Sequence, residues 1–108
     1  MLRIEYSPQA SEDLQRLRIY LSNNWGENVS KKVLTKLTSD IRRLELYPMS
    51  GVNLGNNIDI STDYYYLFSE KNYVFYRIET ERVLIVRVSS EKQDYMQQLF
   101  GISSIQEN

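Results

Sequence analysis

The sequence predicts an α+β fold in the order β-α-α-β-β-β-α, with a helical hairpin packed on one face of a small antiparallel sheet and a short C-terminal helix. Three observations carry that expectation. The N-terminus alternates apolar and polar residues. Two apolar stripes of helical period follow it. Three short runs rich in aromatic and β-branched residues come last. At 108 residues, with 42% hydrophobic and 25% charged, the chain has the size and composition of one folded domain. We place that domain at 1–101 and treat 102–108 as a frayed tail.

Leu2, Ile4 and Tyr6 alternate with Arg3 and Glu5, which marks a half-buried first strand. Ser7-Pro8 then reads as an N-cap followed by proline at the first helical position. Ala10, Leu14, Leu17, Leu21 and Trp25 form the first helical stripe, with Asp13, Arg16 and Asn23 mostly off it. An Asn-Asn-Trp-Gly link leads to a second stripe, Val29, Val33, Leu37, Ile41 and Leu44, which Pro48 and Gly51 end. Two stripes so joined predict an antiparallel helical hairpin, with Trp25 and Gly26 packed at its tip.

Residues 49–63 are rich in turn formers and read as a loop, in which Ile58 and Ile60 could form a stray edge strand. Tyr64–Phe68, Tyr73–Ile78 and Val83–Val88 are the next strands. Two short polar connections, 69–72 and 79–82, predict a meander of hairpins. Ser90 with Gln93 forms a capping-box pattern, and Tyr95, Met96, Leu99 and Phe100 give the last helix an apolar side. With helices on one sheet face, the opposite face is the expected working surface.

Composition excludes whole classes of chemistry. There is no cysteine and no histidine, so thiolate catalysis, Cys-type zinc sites and His-based nucleophile systems are ruled out. We expect no metal and no cofactor. The net charge of −1 gives no field for nucleic acid. No apolar run approaches the ~18–20 residues of a membrane span, and no signal pattern opens the chain, so we expect a soluble, cytoplasmic protein without a membrane partner.

The segments Ile4-Glu5-Tyr6-Ser7-Pro8-Gln9-Ala10, Ile41-Arg42-Arg43-Leu44 leading to Tyr47-Pro48-Met49-Ser50-Gly51, and Asn72-Tyr73-Val74-Phe75-Tyr76-Arg77-Ile78 with Val86-Arg87-Val88 give the chain a family likeness. In their order and spacing over residues 2–100 it resembles the RelE/ParE superfamily of bacterial type II toxin–antitoxin toxins. The long helical hairpin is similar to the ParE branch more than to the RelE branch. The resemblance implies a growth-inhibiting toxin neutralised by a cognate antitoxin, in a hetero-oligomer whose antitoxin wraps across helices and sheet. ParE-like members poison DNA gyrase, and RelE-like members cut mRNA on the ribosome. The RelE-like arginine of the middle hairpin strand falls on Val74 here, and Ser90-Glu91-Lys92 replaces a frequent His-Gly-Arg. Both departures favour the ParE-like reading. The alternatives are the mRNA endonuclease and a degenerate module that only binds its antitoxin.

If the chain is an enzyme, Arg77, Arg87, Lys92 and Tyr95 are its candidate catalytic residues. Two strand arginines could stabilise a pentavalent phosphate, and Lys92 and Tyr95, one helical turn apart, could hold phosphate and supply a proton. A two-residue turn at Thr80-Glu81 puts Arg77 and Arg87 on opposite faces, and an odd-length loop puts them on one. Salt bridging is the other role open to each. Tyr64, Tyr66 and Tyr73 are candidates for partner contacts, or for cross-strand packing. Lys32, Lys36 and Arg43 give the second helix a basic side that could meet a partner or simply face solvent.

Overall fold

The computed structural model of the chain describes residues 1–55 and 63–90. Strand β1 (Arg3–Tyr6) leads through Ser7 into α1 (Pro8–Trp25). The Ser7 side chain accepts a hydrogen bond from the Ala10 N–H, as the Ser-Pro signal predicts. Helix α1 runs through Asn23, Asn24 and Trp25, so the link is Gly26 alone, at φ +95°. One residue in a conformation open mainly to glycine reverses the chain, and no longer loop is needed. Helix α2 (Glu27–Arg42) then runs into two short 3-10 turns, Arg43–Glu45 and Pro48–Ser50.

Among the described residues the sheet has five strands, one more than the sequence predicts. The loop segment contains a two-residue strand, β2 (Val52–Asn53), paired antiparallel to β3 (Tyr64–Ser69). Two residues are too few for a periodic signal. β4 (Asn72–Ile78) and β5 (Arg82–Ser89) complete the meander, and the order across the sheet is β1-β5-β4-β3-β2. The sheet is mixed: β1 lies parallel to β5, from Arg3 opposite Arg82 to Tyr6 opposite Ile85. A parallel pair needs a long crossover, which the helical hairpin and the meander provide. Ile58, Ile60 and the predicted C-terminal helix lie outside the described residues.

The main core fills the space between hairpin and sheet. Ala10, Leu37, Ile41 and Leu44 meet Val74, Tyr76, Val83, Ile85 and Val88 there. By strand alternation, Phe75 points the other way. It joins Leu54, Tyr64, Tyr66, Tyr73 and Val86 in a second cluster, and both Phe75 and Leu54 have 0% exposure. The centre of the face expected to be open is therefore packed. The tyrosines explain how. Tyr66 meets Tyr73 edge-on at 5.5 Å, and Tyr73 stacks on Phe75 at 6.0 Å.

Tyr76 ties the sheet to the turn after α2. Its hydroxyl donates to the Pro48 carbonyl at 2.7 Å and accepts from the Gly51 N–H at 3.1 Å. A Cβ at Gly51 would collide with that hydroxyl and stand 2.5 Å from the Tyr66 carbonyl oxygen. The Tyr-Pro-Met-Ser-Gly segment is thus a lock for one buried tyrosine. Burial, opposed by the Gly51 N–H, pushes the Tyr76 hydroxyl up to about 12.

Two consequences are testable by urea unfolding. Tyr76→Phe should cost about 1–2 kcal/mol, since it strands a carbonyl and an N–H, and Gly51→Ala should cost about 1–3 kcal/mol by overpacking. A raised tyrosine favours the folded state while the phenol is protonated. Its contribution is complete below the ordinary tyrosine value near pH 10 and is lost as pH rises towards about 12. Burial raises the Tyr6 hydroxyl as well, so alkaline titration should show a smaller loss in Tyr76→Phe than in the parent chain.

Candidate functional site

The first candidate site is the helix–strand seam at Asp13. β5 outlasts β1: beyond the Tyr6–Ile85 pair, the sheet edge at Val86 and Val88 has no strand beside it among the described residues. Residues of the helix start take over. Ser7 Oγ donates to the Val86 carbonyl at 2.8 Å, and the Val88 N–H donates to Asp13 Oδ2 at 2.9 Å. Arg87 adds a two-pronged contact to the same carboxylate, Nε to Oδ2 at 2.8 Å and Nη2 to Oδ1 at 3.0 Å. Arg16 Nη2 reaches Oδ1 at 2.8 Å. With Asp13 only 7% exposed, this is a buried carboxylate with its acceptor positions filled.

The expectation that Asp13 sits off the apolar stripe is corrected here. It lies three residues after Ala10 and four before Leu17, so it is on the stripe and buried with it. A carboxylate at such a position needs a buried partner, and that spacing was the available signal.

The predicted pair Arg77 and Arg87 does not converge. The β4–β5 connection is the two-residue turn, with the Glu79 N–H bonded to the Arg82 carbonyl and Ile78 opposite Val83. A bulge between Phe75 and Tyr76 then shifts the register, so Val74 faces Val88 rather than Arg87. Arg87 goes to Asp13. Arg77 lies 5.5 Å over the Tyr64 ring, with Nε 3.9 Å from the Glu79 carboxylate. Lys92 and Tyr95 lie outside the described residues. Of the proposed partner residues, Tyr64, Tyr66 and Tyr73 stand half-buried in the aromatic cluster.

Lys36 is bound to Asp40 at 2.7 Å, and Arg43 approaches the same carboxylate at 3.9 Å. Asp40 also accepts from the Ser69 hydroxyl at 2.6 Å, which joins α2 to the end of β3. Burial pushes the Asp40 carboxyl up, but the bonds from Lys36 and Ser69 and the nearby cations outweigh it and hold it below the usual range.

Beside the Asp13 seam lies the second candidate, a groove of about 1160 Å³. Its apolar floor is Leu17, Tyr20, Leu21, Trp25, Val29 and Val33. Arg87–Ser90 close one end, and the β3–β4 turn, Glu70–Asn72, forms a rim. Trp25, expected to pack at the hairpin tip, is instead 64% exposed in this groove. Tyr20 is also exposed, and Val29 is 41% exposed although its spacing puts it on the core stripe. On the α2 side a second depression shares Val29, Val33 and Glu70 with the groove and adds Lys31, Lys32 and Lys36. The result is an elongated apolar surface with a basic wall, the form of a site for an amphipathic segment.

Residues 4–95 match the family described as the ParE toxin of the type II toxin–antitoxin system, parDE. The chain belongs to the ParE toxin family. Of the solved structures, a chain of the chromosomal ParDE toxin–antitoxin system from P. aeruginosa is similar at a TM-score of 0.69 and 14% identity, covering 82% of this chain and 95% of that one. No curated protein matches the sequence. Among the described residues, no group of acidic residues is placed to hold a metal ion, and no helix is long and apolar enough to cross a membrane.

For this ParE toxin, the seam predicts a measurable coupling. Arg87→Ala and Asp13→Ala should each cost about 3–5 kcal/mol, as expected for breaking a buried ion pair from one side. The double variant should lose clearly less than the sum, in urea unfolding run as a double-mutant cycle.

Proposed function

We propose that this ParE toxin arrests growth by binding a host protein, DNA gyrase, without hydrolytic chemistry of its own, and that a cognate antitoxin neutralises it through the groove between α1, α2 and the end of β5. One observation carries the first half. The two strand arginines that a phosphoryl-transfer site would need are drawn to different places, Arg87 to Asp13 and Arg77 to Tyr64 and Glu79. In-line chemistry on RNA requires cations focused on one phosphate. The groove supports the second half. Three large apolar side chains of the hairpin, Tyr20, Trp25 and Val29, are exposed in it, and contiguous patches of this kind mark partner sites.

Induction of the chain without its antitoxin should stop growth, with DNA breaks and filamentation while translation continues. Codon-linked mRNA cuts would overturn the gyrase reading in favour of the ribosome-dependent nuclease. Absence of arrest would leave a module that only binds its antitoxin. Trp25→Asp should keep the fold, because the residue is exposed. It should weaken antitoxin binding at least tenfold, about 1.4 kcal/mol, in calorimetric titration with the purified product of the adjoining reading frame.

A further inference from the structure

The β3–β4 turn combines three properties that a purely structural turn has no reason to combine. It is a two-residue hairpin, Ser69 opposite Asn72, and both central residues have positive φ, Glu70 at 51° and Lys71 at 63°. That is the pattern of a type I′ turn, whose favoured pair is Asn-Gly. A glutamate and a lysine carry a Cβ into the left-handed region and are strained there.

The flanks hold them in it. Asn72 Nδ2 donates to the Glu70 carbonyl at 2.9 Å, and buried Ser69 is bonded to Asp40. Both strained side chains are exposed, and neither has an ion-pair partner among the described residues. Finally, both line the groove together with Tyr20 and Trp25 of α1. Strain, unpaired charge and position coincide at one dipeptide.

We propose that Glu70 and Lys71 select the antitoxin that enters the groove, and that the strained turn is kept because it fixes one charge of each sign at the groove rim. The proposal rests on the groove reading given above and adds the residues that set its specificity. The occupant is an amphipathic helix of the antitoxin. Its apolar side meets Leu17, Tyr20, Trp25 and Val29. An acidic flank faces Lys71 and the Lys31–Lys32 wall, and one basic residue faces Glu70. Opposite charges held in fixed positions discriminate between partners more than they add affinity, because a like charge placed against them is repelled while no other contact changes.

The test separates the turn's role in the fold from its role in recognition. Glu70→Asn/Lys71→Gly relieves the backbone and removes both charges. Glu70→Lys/Lys71→Glu keeps the strain and exchanges the charges. Both are compared with the parent chain for Tm and for calorimetric titration with the purified product of the adjoining reading frame. Fluorescence of Trp25, the only tryptophan of the chain, reports groove occupancy. The first variant should melt higher, by roughly 4 °C or more for a domain of this size, and bind at least tenfold more weakly. The charge-exchanged variant should melt within a degree or so of the parent and lose at least as much affinity.

Unchanged affinity in both variants, with Trp25 still responding, would overturn the selection role while leaving the groove reading intact. A first variant that melts no higher than the parent would overturn the claim that the turn is strained. Parent binding without any Trp25 response would remove the groove as the antitoxin site, and this inference with it.

Discussion

The architecture depends on one carboxylate. β1 is four residues long and β5 is eight, so half of β5 would face the helix layer with an unpaired edge. Unpaired N–H and C=O groups at a covered edge are costly. Ser7 and Asp13 supply what a longer β1 would have supplied, one hydroxyl for the Val86 carbonyl and one carboxylate oxygen for the Val88 N–H. The helix thereby acts as the continuation of the strand before it. Because the second oxygen of Asp13 also holds Arg87 and Arg16, the seam fixes the position of α1 along β5 as well as its distance from it.

That fixed position creates the groove. Helix α1 has 18 residues, about 27 Å at ~1.5 Å per residue, with Ala10 and Asp13 buried near its start and Leu21 further along. Gly26 then turns the chain back without a loop, so α2 leaves from the same end. The buried apolar residues of α2 are Leu37 and Ile41, while Ser30 near its start is buried against the Arg18 carbonyl of α1. Along the distal half of the hairpin, Tyr20, Trp25 and Val29 stay exposed at the groove, whose lining also includes Asn72 of β4 and Arg87 and Val88 of β5. Apolar side chains that the fold has already ordered lower the entropy cost of binding a partner.

Much of this was legible in the residues. Ser7-Pro8 announced α1, the two stripes announced the hairpin, and the short polar connections announced the meander. What the sequence did not disclose depends on long-range geometry. A bulge that opposes two residues to one has no local signature, so the relation of Arg77 to Arg87 could not be read from turn length alone. The parallel β1–β5 pair joins residues about 80 positions apart and is set by packing, with no turn to signal it. Val29 and Trp25 continue the helical stripes faithfully, yet both are exposed. Periodicity reports which face of a helix is apolar and is silent about what covers it. Asp13 is the opposite case, a charged residue on the apolar stripe, and there the pattern itself asked for a buried cation.

The charges of the sheet lead to the same division of labour. Arg82 is bound at 2.6 Å to both Glu5 and Glu79, which clamps β1 to the β4–β5 turn. Arg82 and Arg87 are committed to carboxylates of neighbouring elements, and Arg77 rests on Tyr64 beside Glu79. The cations left without an ion pair among the described residues include Lys31, Lys32 and Lys71, which line the groove and the depression beside it. In a chain of net charge −1, cations neutralised on the strands and unpaired along an apolar groove match the acidic amphipathic segment proposed above. A polyanion would need the reverse, with guanidinium groups unpaired on one open face and an overall basic field to bring it there. That contrast is what supports the proposal of a protein segment, rather than a nucleic acid, as the occupant of the groove.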